Sequence, residues 1–423
     1  MPKAPFPYIR GHSFNLKILM WLMKNQMNWI WILVALFLFG CGDGKQKESD
    51  GLIRVDVSKS YPKKELILQD LFDIEYVPLE TTDEFVTAGR LQDLDDETIL
   101  VSDGFSSGNI YFTDRQGRYQ KKIDRRGQGD EEYIYMGAAI LDKTNGELFV
   151  NNTPAEKIMV YDLDGHFRRQ LNCPPNTFYE RVGDFDSEHL ICYAVSASDP
   201  DKGGFDEGVR NGGFKLVSKR DGSVSHLPTP YETLKSSTII RETPEGRVYY
   251  SIQNTALVPD RGGWLLTEIS SDTIYRIAPG QPQEPFIVRV PSIQSMRPEI
   301  YLYPGVMTDR YCFLQAVDNR FDFAQRTGFV TTELVYDRQE GEIYQYVVYN
   351  ADIDEERPIN LVCQVIYNHV LVNNNGVAFV SRLYAPDLVD ALNDGKLRGP
   401  LKEIASSLDE EDNPVILIAK YKR

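Results

Sequence analysis

Histidine, the side chain best suited to proton transfer at neutral pH, occurs five times, at His12, His166, His189, His226 and His369. The last four fall in four separate segments, with no i,i+2 or i,i+4 pair. A zinc site or a Ser-His-Asp relay needs such groups to converge, so the supply for either is thin. The nucleophile motif Gly-x-Ser-x-Gly is missing. Residues 127–133, "GQGDEEY", contain Gly-x-Gly, but neither Gly-x-x-x-x-Gly-Lys-Ser/Thr nor Gly-x-Gly-x-x-Gly. Only those longer spacings converge backbone N–H groups on phosphate, so this stretch reads as a chain crossing. Carboxylates are abundant, at 62 Asp and Glu, which leaves a paired-acid glycosidase open. Arg125, Arg126 and Tyr133 make a cationic, aromatic spot that could dock an anionic sugar or a peptide carboxylate. Trp264, in "DRGGWLL", could stack on a sugar face. Each of these four residues also has a purely structural reading.

The elements that would position these residues are short strands. Residues 110–133 read as a strand, an Asp-Arg-Gln-Gly turn, a second strand and a glycine-rich crossing. A weaker copy, "IMVYDLDGHFRRQL", follows at residues 158–171. Two such units about fifty residues apart predict a repeated blade. Six blades can be counted: residues 91–124, 136–173, 179–227, 238–290, 301–349, and a sixth that includes 361–383. The fourth is expected to use "TIIRETPEGRVYYSI" and "WLLTEISSDTIYRIA". A seventh, hidden in residues 228–298, is the alternative, but turn signals are few there. After residue 385 the spacing of Leu388, Leu392, Leu401, Ile404 and Leu408 becomes helical, with Pro386 near the first start. "NPVILIAKYKR" then reads as a final strand. The expected fold is therefore an all-β, six-bladed propeller over residues 52–423, with a short helical insertion before the closing strand. That strand should share the sixth blade with an N-terminal one, because pairing the chain ends removes an open edge. In such a ring Asp103 and Asn151-Asn152, which follow equivalent strands, could face an axial channel and hold Ca²⁺; they could equally cap turns.

The chain carries −16. Residues 1–40 hold only the bases Lys3, Arg10, Lys17 and Lys24, which leaves the remainder at −20. Such a polyanion repels nucleic acid and anionic bilayers. Residues 29–39, "WIWILVALFLF", are eleven apolar residues, too few to span a membrane but right for a secretory signal. Residues 42–51, "GDGKQKESDG", read as a flexible tether. Cys173, Cys192, Cys312 and Cys363 are scattered without metal spacing, and read as buried thiols or as disulfide partners.

Two resemblances follow. "LFGC" at residues 38–41 resembles the lipobox of bacterial lipoproteins, which implies cleavage before Cys41, a lipid on its thiol and an outer-membrane or periplasmic address. "YVPLETTD" (76–83), "GRYQKKIDRRGQGDEEY" (117–133), "VYDLDG" (160–165) and "EEDNPVILIAKYK" (410–422) together resemble the six-bladed, NHL-like propeller lipoproteins of Bacteroidetes-type bacteria. That resemblance implies a fold and an address but no reaction. A binding or scaffold module for a glycan, peptide or envelope protein is the expected role, with a hydrolase or lyase using axial Ca²⁺ or a carboxylate pair as the alternative. Asp272-Thr273-Ile274 also resembles the Asp-Thr-aliphatic O-glycosylation site of such bacteria, with Thr273 as acceptor. The anchor is testable: labelled fatty acid should enter the wild-type chain and vanish in Cys41→Ala, and label persisting in that variant would exclude Cys41 as the lipidated residue.

Overall fold

The structure, a computed structural model, describes residues 51–104, 107–197, 209–244, 246–354, 358–362, 369–372 and 376–422. The leader, Cys41, nearly all of the tether and Cys363 lie outside the described residues. Six sheets are arranged as blades. Blade 1 is Arg90–Leu94, Thr98–Ser102, Asn109–Asp114 and Tyr119–Asp124. Blade 2 is Ala138–Asp142, Glu147–Asn152, Lys157–Asp162 and Phe167–Asn172. Blade 3 is Thr177–Asp184, His189–Ser196, Gly213–Ser218 and Val224–Leu227. Blade 4 is Leu257–Asp260, Gly263–Thr267, Thr273–Ile277 and Glu284–Val290. Blade 5 is Ile300–Met307, Tyr311–Asp318, Thr331–Asp337 and Glu342–Tyr349. In each, the first strand lies innermost and the last outermost. Apolar residues alternate along the strands and pack between neighbouring blades, as Leu100, Tyr133, Val150 and Tyr161 do between blades 1 and 2.

Blade 6 closes the ring. It runs His369–Leu371, Val377–Leu383, Val415–Tyr421 and Phe72–Pro78. The closing strand pairs antiparallel on both sides, Ile418 facing Val380 and Glu75. The expected helices are present before it, at Ala385–Asn393 and Gly399–Ala405. The N-terminal chain does more than close the ring. Ile53–Asp56 adds a parallel fifth strand to blade 4, and Lys63–Ile67 adds one to blade 5. Both cover outer edges that would otherwise be open. Lys64 fastens the second of these strands to blade 5. Its Nζ lies 2.8 Å from Oδ2 of Asp337, which is fully buried and also held by Arg310. Bonds from Arg310 and Lys64 outweigh burial and hold the Asp337 carboxyl far below its usual range.

The Asp-x-x-Gly turns do a specific job. Oδ1 of Asp114 accepts the N–H groups of Gln116 and Arg118, and Oδ1 of Asp162 accepts those of Asp164 and His166. The glycine ending each turn packs on the outermost strand of the preceding blade. A Cβ on Gly117 would lie 2.2 Å from the Pro78 carbonyl oxygen, and one on Gly165 would lie 3.0 Å from Ile123. Both have positive φ, so glycine is required twice over.

Blade 4 corrects the expected strand assignment. Thr238–Thr243 and Gly246–Ser251 pair only with each other and belong to no blade. Their faces are largely open, with Ile240 and Tyr249 exposed, and Tyr250 stacks on Phe321 at 3.9 Å. The true inner strand is Leu257–Asp260, which is short and contains Pro259. Proline suits it, because an innermost strand has one edge with no partner and needs fewer N–H donors. Pro304 occupies the same kind of strand in blade 5. Among the described residues no helix is long and apolar enough to cross a membrane.

Two outcomes test this architecture. Ile418 is fully buried in the closing strand, so Ile418→Ala should cost ~2–5 kcal/mol in chemical denaturation. Deleting residues 413–423 should abolish cooperative unfolding altogether, and an unchanged melting curve in the deletion would rule out closure by that strand. The second outcome concerns Lys215, which is fully buried; its Nζ donates to the Gly212 carbonyl at 3.1 Å and lies 3.2 Å from His226 Nδ1. Burial pushes its amine down to about 8, against an opposing effect from Cys192. The unfolded amine holds its proton to higher pH, so this site's contribution to stability rises from about pH 8 upward and is least favourable below it. Lys215→Met should therefore raise the melting temperature at pH 7, with the gain shrinking by pH 10. An equal gain at both pH values would show that the buried charge is not its source.

Candidate functional site

Inner-strand residues of blades 1, 2, 3, 4 and 6 line an axial channel of about 340 Å³. That is near the lower end of the range for small-molecule pockets. A strand edge facing such a space carries unpaired N–H groups that need partners. Blade 1 supplies them for blade 2. Gln92 Oε1 accepts the Ala139 N–H at 3.0 Å, and Asp93 Oδ2 accepts the Leu141 N–H at 2.8 Å. Gln92 can do so because it is the extra residue of a bulge between Leu91 and Asp93. Glu180 is the extra residue of a second bulge, between Tyr179 and Arg181 in blade 3. Bulges re-aim the side chains beside them. Here they sit next to Asp93 and Arg181, both of which line the channel.

The channel is polarised along its length. Arg90, at the start of its strand, and Arg181, three residues before Asp184 in the middle of its own, line one end. Arg382 joins them from blade 6, its Nη1 donating 2.6 Å to the Ala88 carbonyl just before Arg90. Its guanidinium lies 4.6 Å over the Tyr384 ring. Burial lowers the Arg90 pKa, and the charges of Arg382 and Arg181 lower it further. Arg181 Nε donates to Thr255 Oγ1 at 3.0 Å, and its Nη1 to the Glu180 carbonyl at 3.4 Å. Burial raises the carboxyl of the adjacent Glu180, while Arg181 opposes the shift. Asp93, Asp95 and Asp184 line the other end. Burial raises Asp93 to about 6, against its bonds from Leu141 and Leu94, with Asp184 and Asp95 adding like charge. Burial also raises Asp184, although Lys219 Nζ lies 2.7 Å away. The same Nζ lies 2.5 Å from Asp142 Oδ2.

A wider cavity of about 1410 Å³ adjoins the channel at Leu94 and Asp95. Several of its cations are paired with carboxylates. Arg261 pairs with Asp309 at 2.5 Å, while Arg115 and Lys420 share Glu75 at 3.4 and 2.7 Å.

The sequence-predicted residues are placed as follows. Tyr133 is fully buried, donates its hydroxyl to the Gly108 carbonyl and packs edge-on against Tyr161, so its ring belongs to the blade 1–2 core. Arg125 and Arg126 are exposed at that junction, and Arg125 Nε donates to the Gly165 carbonyl at 2.6 Å. They do not reach the channel lining. The Gly-x-Gly loop between them closes on its own acid: the Gly129 N–H donates to Glu132 at 2.9 Å, and a Cβ on Gly127 would strike that carboxylate. Trp264 does line the channel, but it is 6 % exposed. Its Nε1 donates to the Asp184 carbonyl at 3.1 Å and its ring fills the space left by Gly183, so little of its face is open. Thr273 starts a paired strand in blade 4 and is half-buried, and Asp272 Oδ1 accepts the Ile293 N–H at 2.6 Å. Asp103 binds Asn109 and Tyr111 within its own blade. Asn151 and Asn152 end a strand instead of following it, and Asn151 Nδ2 donates to the Tyr179 carbonyl. Neither asparagine lines the channel. Among the described residues no three His, Cys, Asp or Glu side chains come together as a metal site. Cys173, Cys192 and Cys312 are free thiols, and burial raises the pKa of each.

Sequence reasoning missed Arg90, Arg181 and Arg382. Each is a single arginine in an ordinary strand, and nothing in its neighbours marks it. Only the ring brings the three together.

Comparison with known proteins agrees with this architecture. A search of curated proteins finds no match. Among solved structures, a Bacteroides fragilis protein predicted to be exported aligns over 85 % of this chain and 99 % of its own, at 16 % identity and a TM-score of 0.56. A DUF4221 member from Bacteroides vulgatus aligns over 83 % and 97 % at 10 % identity, with a TM-score of 0.44. The family described as a 6-bladed beta-propeller, DUF5128, matches residues 44–365, and the chain belongs to it.

Proposed function

We propose that this propeller is a non-catalytic binding module of the bacterial envelope, held there by lipid on Cys41, and that its ligand enters the axial channel. The observation that carries this reading is the state of the channel carboxylates. A glycosidase-type mechanism needs one carboxyl free to donate a proton and another free to act as base or nucleophile. Asp93 is instead engaged by two backbone amides, and Asp142 and Asp184 flank Lys219. These acids hold blades 1, 2 and 3 in place. Arg90 and Arg181 line the other end, which suits reception of a glycan, peptide or protein partner. The lipobox-like leader supports the envelope address, as does the description of the B. fragilis neighbour as predicted to be exported.

The test is a glycan and peptide screen on the purified chain, with and without a metal chelator. Any ligand found should be recovered chemically unchanged after long incubation, and its binding should survive chelation. Trp264 provides a channel readout, because the other three tryptophans lie within the first 31 residues. Its emission should shift on binding, and the shift should be lost in Trp264→Phe. Product formation that disappears in Asp93→Asn would overturn the binder reading in favour of a carboxylate-pair enzyme.

A further inference from the structure

The seam between blades 4 and 5 holds a smaller cavity of about 150 Å³, which meets the wider one at Arg261, Thr308 and Asp309. Its most buried polar group is Asp260, the last residue of the inner strand of blade 4, with a side chain 3 % exposed. Oδ2 of Asp260 takes both contacts from Arg276, with Nε at 2.8 Å and Nη2 at 2.6 Å. The Arg276 guanidinium also lies 3.9 Å from the centre of the Phe286 ring, which fixes it on that oxygen. Oδ1 of Asp260 is buried and accepts no hydrogen bond from the described residues. A buried carboxylate oxygen left in this state is costly, so it calls for a donor from the cavity that it lines.

The rest of the lining narrows what that donor belongs to. Arg261 pairs with Asp309 and Arg276 with Asp260, but no carboxylate among the described residues lies within ion-pair distance of Arg338, the third guanidinium of the lining. Arg338 is held from its backbone, whose N–H donates to the Arg310 carbonyl at 2.8 Å, and its guanidinium lies 5.5 Å from the centre of the Phe286 ring. The Thr308 hydroxyl is already engaged with the Tyr311 backbone. What stays open is one acceptor, at Asp260, and one cation, at Arg338. A metal ion suits neither this charge balance nor Arg338, and phosphate would set its own acceptors against Oδ1. Water supplies the donor but no negative charge. We infer that this cavity binds a small carboxylate with an O–H or N–H donor on the neighbouring carbon, an α-hydroxy acid or an α-amino acid, its carboxylate toward Arg338 and its donor toward Oδ1 of Asp260. An apolar cavity of about 150 Å³ accepts benzene, so a three-carbon acid fits. Such a ligand would bridge blades 4 and 5. The inference does not depend on a ligand in the axial channel, because neither Asp260 nor Arg338 lines it.

Calorimetry on the purified chain tests this with L-lactate and L-alanine as the two acids. Propionate serves as the acid without a donor, lactamide and alaninamide as the forms without a carboxylate, and inorganic phosphate as the plain anion. Lactate or alanine should bind about tenfold or more tightly than propionate, than its own amide and than phosphate, as expected when a charge-assisted hydrogen bond is lost. The tighter of the two identifies the donor as hydroxyl or ammonium. Arg338→Gln, at an exposed position, should weaken that acid about tenfold or more without moving the melting temperature. Asp260→Asn can keep its oxygen on Arg276 and turn its amide nitrogen into the cavity, so it should remove the advantage over propionate. Arg181→Gln, in the channel, should change neither. The inference is overturned if neither acid binds the folded chain, which leaves the cavity to water alone. It also falls if propionate, phosphate or the amides bind as tightly as the better acid, or if folded Arg338→Gln keeps full affinity. Should Asp260→Asn fail to fold, the propionate comparison on the wild-type chain decides the role of the donor.

Discussion

Everything in this molecule depends on closing a ring of sheets. Blades pack face to face around an axis, and the last must pack against the first. Blade 6 meets that constraint by drawing strands from both ends of the chain, Phe72–Pro78 beside Val415–Tyr421. Opening it would expose the apolar seam that includes Leu79, Phe85, Val101 and Ile416. The N-terminal segment continues the same logic outside the ring, adding a parallel strand first to blade 4 and then to blade 5. Such pairing is non-local, so its loop-closure entropy must be met before the contacts form. The Lys64, Arg310 and Asp337 cluster shows one compensation, an ion pair with an additional bidentate arginine that fixes one of these strands in register.

A second constraint operates at the centre. Six inner strands cannot pair across the axis, and their open edges must still be satisfied. The chain solves this between blades 1 and 2 with Gln92 and Asp93, and between blades 2 and 3 with Asn151. The ionic tie of Lys219 to Asp142 and Asp184 serves the same junction. These groups resemble a catalytic assembly in composition. Their hydrogen bonds show them to be joints between blades. Breaking one partner of such a buried pair is costly even where the intact pair adds little net stability.

The distribution of charge follows from this division. Acids at one end of the channel are committed to structure, while toward the other end Thr255 and the Glu180 carbonyl hold Arg181 and the Ala88 carbonyl accepts a bond from Arg382. A strongly acidic protein thus keeps arginines close together at one end of the channel. In the wider adjoining cavity Arg261, Arg115 and Lys420 are paired with nearby carboxylates.

Several elements of the fold were legible in the sequence for local reasons. Asp-x-x-Gly turns, alternating strands, the helical spacing after residue 385 and the final "NPVILIAKYKR" strand each depend on neighbours a few residues away. Their repetition sufficed for six blades. Where local signals conflicted, the sequence misled. Residues 238–251 have better strand character than residues 257–260, yet the short segment with Pro259 is the one in the blade, because only burial against blade 3 and the channel decides membership. The candidate site was least legible. Tyr133 and Trp264 are conspicuous as residue types, and the fold spends most of both on packing. Arg90, Arg181 and Arg382 are inconspicuous, far apart in the chain, and assembled by ring closure and by a strand bulge. Local chemistry determined the repeats; the meeting of distant side chains at one mouth was decided by tertiary structure, because only a closed ring brings blades 1, 3 and 6 to a common axis.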